Sequence, residues 1–216
     1  MLPFQAVIFD LDGTLADSLR DLAEAMNLAL ADFKLPAHSI DAYRTFVGEG
    51  VDTMVRRAAS PESSPQTLKA IADTYRAHYA RLDHPHTKPY AGIPELLDGL
   101  TAAKVKLAVL SNKRDDFTRA LVTKQFSRWP FVDVRGEREG VPRKPDPTAA
   151  FELALALNVL PANIAFVGDT AVDVNTAKNA GMRSVGCVWG FRGREELANA
   201  GARHIIDSPI ELLSLR

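Results

Sequence analysis

The chain has 216 residues, 46% of them hydrophobic, 25% charged and 7% aromatic, which supports a core burying roughly 70% of the unfolded surface and excludes intrinsic disorder. Its 26 basic and 27 acidic residues leave a net charge of −1, so it carries no polyanion-binding field and nucleic acid is not an expected partner. Apolar runs fall far short of the ~20 residues of a membrane span, the first residues lack the pattern of a signal peptide, and Cys187 is a lone cysteine, so the expectation is a cytoplasmic protein with no membrane partner.

The chain opens on Ala6-Val7-Ile8-Phe9, a continuous apolar run suited to a strand buried on both faces, as in a parallel sheet. The acidic turn Asp10-Leu11-Asp12-Gly13-Thr14 follows it. Leu19, Leu22, Met26, Ala29, Leu30 and Phe33 then recur at helical spacing, behind a cap at Asp17 or Ser18. Residues 40–46, 51–59 and 66–82 also read as helices, with no strand among them. The proline-rich passage 84–90 ends this block and reads as a linker.

Beyond it helix and strand alternate. Helix 94–103 precedes strand 105–110, and helix 115–126 precedes a weak strand near 131–134. Helix 147–157 leads to strand 164–167, and helix 172–180 to strand 184–188. A last helix near 194–200 precedes a short strand at 204–206. This alternation predicts an α/β fold, a Rossmann-like parallel sheet with helices on both faces. The expected division is a core of residues 1–16 and 85–216 and an inserted all-helical cap of residues 17–84. An insert directly after the first strand lies at the carboxyl edge of the sheet, where open α/β folds bind ligands, and is placed to act as a lid.

The informative residues are acidic and follow predicted strands. Asp10 and Asp12 follow the first strand; Asp169 and Asp173 follow strand 164–167 through Gly168. Parallel strands end on one edge, so four carboxylates converge there. Close carboxylates resist joint ionisation unless a hard divalent cation such as Mg²⁺ is held among them. Ser111-Asn112 closes strand 105–110 on the same edge, and Lys144 lies in the loop Arg143-Lys144-Pro145-Asp146-Pro147. Hydroxyl, amide and ammonium donors around a metal suit a phosphoryl group. Each of these residues alone reads more readily as a turn, cap or surface residue; the set carries the inference.

Asp10-Leu11-Asp12-Gly13-Thr14-Leu15, Ser111-Asn112, Lys144-Pro145 and Gly168-Asp169-Thr170-Ala171-Val172-Asp173 resemble, in order, the four motifs of the haloacid dehalogenase superfamily. The resemblance spans essentially the whole chain. It implies a magnesium-dependent phosphatase in which Asp10 is the nucleophile that carries an aspartyl-phosphate. Asp12 protonates the leaving oxygen and then activates water. It further implies Mg²⁺ held by the Asp10 side chain, the Asp12 backbone carbonyl and the Asp169 carboxylate, with Asp173 as a ligand or close by. Thr14 orients the loop or Asp12, Ser111 and the Asn112 amide bind phosphate oxygens, and Lys144 steadies nucleophile and phosphate.

The segment from Val47 to Ala58, with Gly48-Glu49-Gly50 and the pair Arg57-Ala58, resembles the cap loop of phosphoglycolate phosphatases, although Met54 replaces a more usual leucine. Glycines let backbone approach a small ligand and the following helix start favours an anion. Gly48, Gly50 and Arg57 are therefore candidate substrate-binding residues for 2-phosphoglycolate, a small phosphorylated metabolite. The segment from Trp189 to Leu197 resembles the same branch and either lines an entrance or packs beneath the loop.

Rivals on the same fold are weighed by residue. A dehalogenase does not need Asp12, and a phosphonate hydrolase needs a cap lysine, yet Lys34 and Lys69 lie outside the Gly48 loop. Phosphatases of other small phosphates (sugar phosphates, nucleotides, pyrophosphate) and a sugar phosphomutase share these motifs and stay open, as does the oligomeric state. A non-catalytic phospho-ligand sensor would not need the intact acid set. His84 and His86 read as linker residues, Cys187 as a buried small hydrophobe, and Arg135, Arg138 and Arg143 as part of a solvated surface.

Overall fold

The computed structural model describes residues 2–216. The chain divides into two compact units, one comprising the residues up to Ala16 with Pro89–Arg216, the other Asp17–Lys88.

The first unit begins with β1 (Ala6–Phe9), every residue of which is buried. The short β2 (Ala16–Asp17) leads into the second unit. There α1 (Leu19–Asp32) buries Leu22, Met26, Ala29 and Leu30 along one stripe, the i, i+3, i+4 pattern of an amphipathic helix. The predicted helix 40–46 is instead a 3₁₀ turn, Ile40–Ala42, continued by the four-residue α2 (Tyr43–Phe46). Ser39 Oγ accepts the Ala42 N–H at 3.3 Å, and this cap holds the first turn tight. Next come α3 (Val51–Ala58) and α4 (Pro65–Arg81). The latter starts where Ser64 accepts the Thr67 N–H at 3.1 Å ahead of Pro65 at its first position. Asn27 ties this unit together: it bonds both ways with the backbone of His38 and accepts the Tyr43 hydroxyl at 2.6 Å.

The short β3 (Lys88–Pro89) pairs with β2 in a two-stranded sheet. The first unit then resumes with α5 (Ile93–Ala102) and β4 (Lys106–Arg114). Next are α6 (Asp115–Phe126), β5 (Phe131–Glu137), α7 (Thr148–Leu157) and β6 (Ile164–Gly168). The chain continues through α8 (Ala171–Asn179), β7 (Arg183–Cys187), α9 (Arg194–Asn199) and β8 (His204–Ile206). Six strands form one sheet in the order β5-β4-β1-β6-β7-β8, and each neighbouring pair is parallel. Alternate residues of β1 enter opposite faces. Val7 and Phe9 pack with Leu96, Leu97, Leu100, Leu121 and Phe126 of α5 and α6; Ala6 and Ile8 pack with Ala150, Leu153, Leu157 and Ala177 of α7 and α8. Helices thus cover both faces, the requirement for an apolar parallel sheet.

The strand predicted at 105–110 runs on through Ser111, Asn112 and Lys113 to Arg114, with an irregular register against β5 between Leu110 and Arg114. Its apolar run ends at Leu110, which is why sequence alone closes it there. The basic loop predicted as solvated surface is instead threaded by ion pairs: Arg135 and Arg138 both reach Glu152, and Arg143 reaches Glu137. A final 3₁₀ helix, Pro209–Ser214, was not legible beforehand and seals the core with Leu212. Among the described residues no helix is long and apolar enough to cross a membrane.

Candidate active site

Parallel registry builds the site. Phe9 lies opposite Val109 on one side and Val167 on the other. Asp10, one residue on, and Ser111 and Asp169, each two residues on, therefore emerge together at the carboxyl edge. This is the topological switch point, where the chain runs from β1 outward to β4 and β5 on one side and then crosses back to β6 on the other. The Asp10 N–H donates to Val167 O at 2.9 Å, so the turn begins with a ladder bond still in place. Leu11 O then accepts from the N–H groups of Leu15 and Ala16. Gly13 takes φ +89, and a Cβ there would lie 2.4 Å from Asp169 Oδ2, so only glycine lets this turn lie against the carboxylate.

Asp10, Asp169 and Asp173 each bring a carboxylate oxygen within 4.8 Å of the others, and all three are buried. Lys144, also buried, reaches Asp10 Oδ1 at 2.8 Å and Asp173 Oδ1 at 2.6 Å. Burial, partly offset by the Lys144 ammonium and reinforced by Asp173 and Asp12, pushes the Asp10 carboxyl up to about 7. Burial and the Asp173 and Asp10 charges carry Asp169 well above the usual carboxylate range, against the Phe191 N–H and Thr14 hydroxyl. Burial also works against the Lys144 charge, but Asp10 and Asp173 outweigh it and hold Lys144 above its ordinary value. Three buried carboxylates and one ammonium leave an excess of negative charge and hard oxygen donors. That donor set suits a divalent metal ion.

The individual residues have distinct partners. Asp173 Oδ2 accepts from Thr170 Oγ1 at 2.7 Å and Thr170 N at 3.1 Å, so this carboxylate caps α8 while its other oxygen holds Lys144. Asp169 Oδ1 accepts the Thr14 hydroxyl at 3.2 Å and Oδ2 accepts the Phe191 N–H at 2.7 Å. Thr14 thus turns its hydroxyl to Asp169. Asn112 uses its side chain on the backbone of Lys144, donating to Lys144 O at 3.2 Å and accepting from Lys144 N at 2.9 Å. It sets the lysine loop in place, and the N–H it accepts identifies which side-chain atom is oxygen. Ser111 is buried, and its Oγ accepts the Lys113 N–H at 3.2 Å.

One feature escaped sequence reasoning, and a second was read only in part. Lys113 Nζ reaches both oxygens of Asp12, at 2.7 and 2.6 Å, with side chains only 7% and 16% exposed. A single lysine is normally a surface charge; its only signal was its place directly after Ser111-Asn112. The turn after β7 is the other. Trp189 Nε1 donates to Thr14 O at 3.0 Å while the neighbouring Phe191 N–H reaches Asp169. The tryptophan packs beneath the loop and also anchors it. Cys187 is buried and its thiol is pushed up by burial, as expected of a structural cysteine.

Gly48, Gly50 and Arg57 belong to the helical unit, where Gly48 and Gly50 take φ 109 and 86. Arg57 donates to Thr45 O and Phe46 O and pairs with Glu49 at 2.5 Å, clamping that glycine loop from within. The same unit holds a second acidic group, Asp21 with Glu24 and His86. Asp21 is fully buried and accepts the N–H groups of His86 and Thr87 and the Thr87 hydroxyl. Its carboxylate staples the end of the unit to α1.

The family of haloacid dehalogenase-like hydrolases matches residues 7–187. A phosphoglycolate phosphatase of Rhodospirillum rubrum is 35% identical over 210 residues, covering 94% of this chain and 87% of its own. One from Thiobacillus denitrificans is 32% identical over 200 residues, covering 89% and 87%. Among solved structures, a candidate phosphoglycolate phosphatase of Lactobacillus delbrueckii subsp. bulgaricus superposes with a TM-score of 0.91 at 29% identity, over 97% of this chain and 96% of that one.

Proposed function

This chain belongs to the haloacid dehalogenase-like hydrolases and is a phosphatase, and from that premise we propose a magnesium-dependent phosphomonoesterase that works through a phosphoaspartyl Asp10 and hydrolyses 2-phosphoglycolate to glycolate and phosphate. The buried contact of Asp10 with Lys144, inside a cluster of three carboxylates, is the observation that carries the reading. Mg²⁺ fits the oxygen donors and the excess negative charge, with Asp10 and Asp169 as its carboxylate ligands. Asp12, whose side chain turns to Lys113, contributes its backbone carbonyl. Asp173, one of whose oxygens holds Lys144 while the other meets Thr170, would orient Lys144 and be a further ligand or lie close by. When bound, the ion supplies charge neutralisation for the phosphoryl oxygens.

The remaining chemistry belongs to the chain. Lys144 fixes the Asp10 carboxylate, which attacks phosphorus in line as the ester P–O bond breaks and the leaving oxygen takes a proton from Asp12. Asp12, now a carboxylate, removes a proton from water, which attacks the phosphoaspartyl phosphorus and frees phosphate and Asp10. The Ser111 hydroxyl and the Asn112 N–H bind phosphate oxygens, while the Asn112 side chain holds Lys144 at the correct depth. In the helical unit, Gly48, Gly50 and Arg57 stay the candidate substrate-binding residues, with Arg57 holding the glycine loop in shape. The phosphoglycolate phosphatases of Rhodospirillum rubrum and Thiobacillus denitrificans, 35% and 32% identical to this chain, support the substrate.

Phosphate release from 2-phosphoglycolate with Mg²⁺, beside sugar phosphates, nucleotides, pyrophosphate and an aryl phosphate, tests the reading. The expected kcat/KM preference is at least ~100-fold, about 2.7 kcal/mol of transition-state discrimination. A flat profile, or preference for another ester, rejects the substrate while leaving the Asp10 chemistry; folded Asp10→Asn protein with full turnover rejects the chemistry itself.

A further inference from the structure

Lys113 has no place in the four motifs, yet it sits at the one carboxylate that must reach the leaving oxygen. Nζ bonds both Asp12 oxygens, at 2.6 and 2.7 Å, and the lysine side chain is 7% exposed against 16% for Asp12. Asp12 is thus the more open partner. Lys113 leaves β4 two residues beyond Ser111, whose Oγ accepts its N–H at 3.2 Å, so its root is tied to the phosphate-binding strand end.

We propose that Lys113 is a specificity residue that recognises the carboxylate of the substrate, exchanging Asp12 for it and so releasing Asp12 to serve the leaving oxygen. The inference rests on the 2-phosphoglycolate reading and deepens it. To deliver a proton, Asp12 must lie within about 3 Å of the ester oxygen. In a phosphoglycolate-type ester the carboxylate is joined to that oxygen through one methylene, so it lies beside Asp12, within reach of the Lys113 ammonium, which stands 2.6 Å from Asp12 Oδ2. The lysine then trades one carboxylate for another and stays neutralised throughout, and the released Asp12 takes from solvent the proton that it passes to the leaving oxygen. An ester of equal size without the charge offers no such trade, and Asp12 remains held. Discrimination of this kind is expressed in kcat as well as KM, because the interaction is completed on the way to the transition state.

The experiment compares 2-phosphoglycolate with ethyl phosphate for the unaltered enzyme, Lys113→Met and Lys113→Arg, all with Mg²⁺. The readout is the ratio of the two kcat/KM values, with kcat and KM resolved. A partly misfolded preparation lowers both substrates together and leaves the ratio alone. For the unaltered enzyme the ratio is expected above ~100; Lys113→Met lowers it at least ~30-fold, and Lys113→Arg, which keeps the charge, recovers part of that loss. If the unaltered enzyme discriminates and Lys113→Met keeps the ratio within ~3-fold, Lys113 only holds Asp12 and the inference is rejected. If the unaltered enzyme already has a ratio near one, the substrate reading fails and the inference fails with it.

Discussion

Gly190 lies where the turn after β7 meets both Asp169 and the first loop. A Cβ added there would stand 2.3 Å from Asp169 Cβ, 2.3 Å from Gly13 O and 2.6 Å from Asp169 Cγ. Carbon contacts settle near 3.5–4.0 Å, so Gly190→Ala forces a displacement of about 1 Å. Neither neighbour yields easily. Asp169 is pinned by Thr14 and Phe191, and the first loop is pinned through Thr14 O by Trp189. Overpacking of this size costs about 1–3 kcal/mol, and weakening the Phe191 N–H bond to Asp169 adds to it, for about 2–4 kcal/mol in all. Urea unfolding of the ion-free protein reads that loss. Calorimetric titration with Mn²⁺ is expected to show affinity about 10–100-fold lower, because a ligand's orienting partners have moved. Phosphate release is expected to fall about 100-fold, the usual effect of a 1 Å misplacement. Gly193→Ala is the control: nothing lies within 4 Å of its Cβ, and a loss below about 1 kcal/mol with unchanged Mn²⁺ binding is expected. A Gly190→Ala protein of normal stability and Mn²⁺ affinity would refute the view that this turn holds Asp169.

Two further outcomes follow from the same contacts. Burial raises Asp10 from 3.8 to about 7, so its contribution to ion-free stability is fully present below 3.8 and is lost as pH rises through about 7, by up to about 4 kcal/mol. Asp10→Asn removes this dependence and should gain on the unaltered protein between about pH 4 and pH 8 in chelator, with Mg²⁺ narrowing the difference at the upper end; a difference independent of pH contradicts the assignment. In the helical unit, Asp21→Ala strips the acceptor from the His86 and Thr87 N–H groups and the Thr87 hydroxyl, and should cost about 2–4 kcal/mol in urea unfolding. Stability within about 0.5 kcal/mol of the unaltered protein would show that water replaces it.

Much of this protein was legible without tertiary structure because its chemistry is covalently attached to its core. Ala6–Phe9 and Ile164–Gly168 are apolar enough to be read as buried strands, and an acid directly after each must emerge at the edge of a parallel sheet. That logic located Asp10 and Asp169, and the alternation of helix and strand supplied the fold. It weakened where an element owes its form to its neighbours. β4 continues through Ser111–Lys113 only because β5 and β1 flank it, and 40–46 splits because one serine side chain caps a tight turn.

What tertiary structure alone decided is which donor meets which acceptor. Lys113 on Asp12, Asn112 on the Lys144 backbone, Thr14 on Asp169 and Trp189 on Thr14 O join residues 101, 32, 155 and 175 positions apart. Local sequence specifies conformation over a few residues, through periodicity, capping and turn chemistry. A hydrogen bond instead depends on two groups arriving within about 3 Å and in line. For these pairs, the registry of β4 and β6 against β1 and the close approach of backbone at Gly13 and Gly190 set that geometry. The sequence determines that four acids and a lysine share one edge; the packed sheet determines which of them cluster, which hold Lys144, and which one pairs with Lys113.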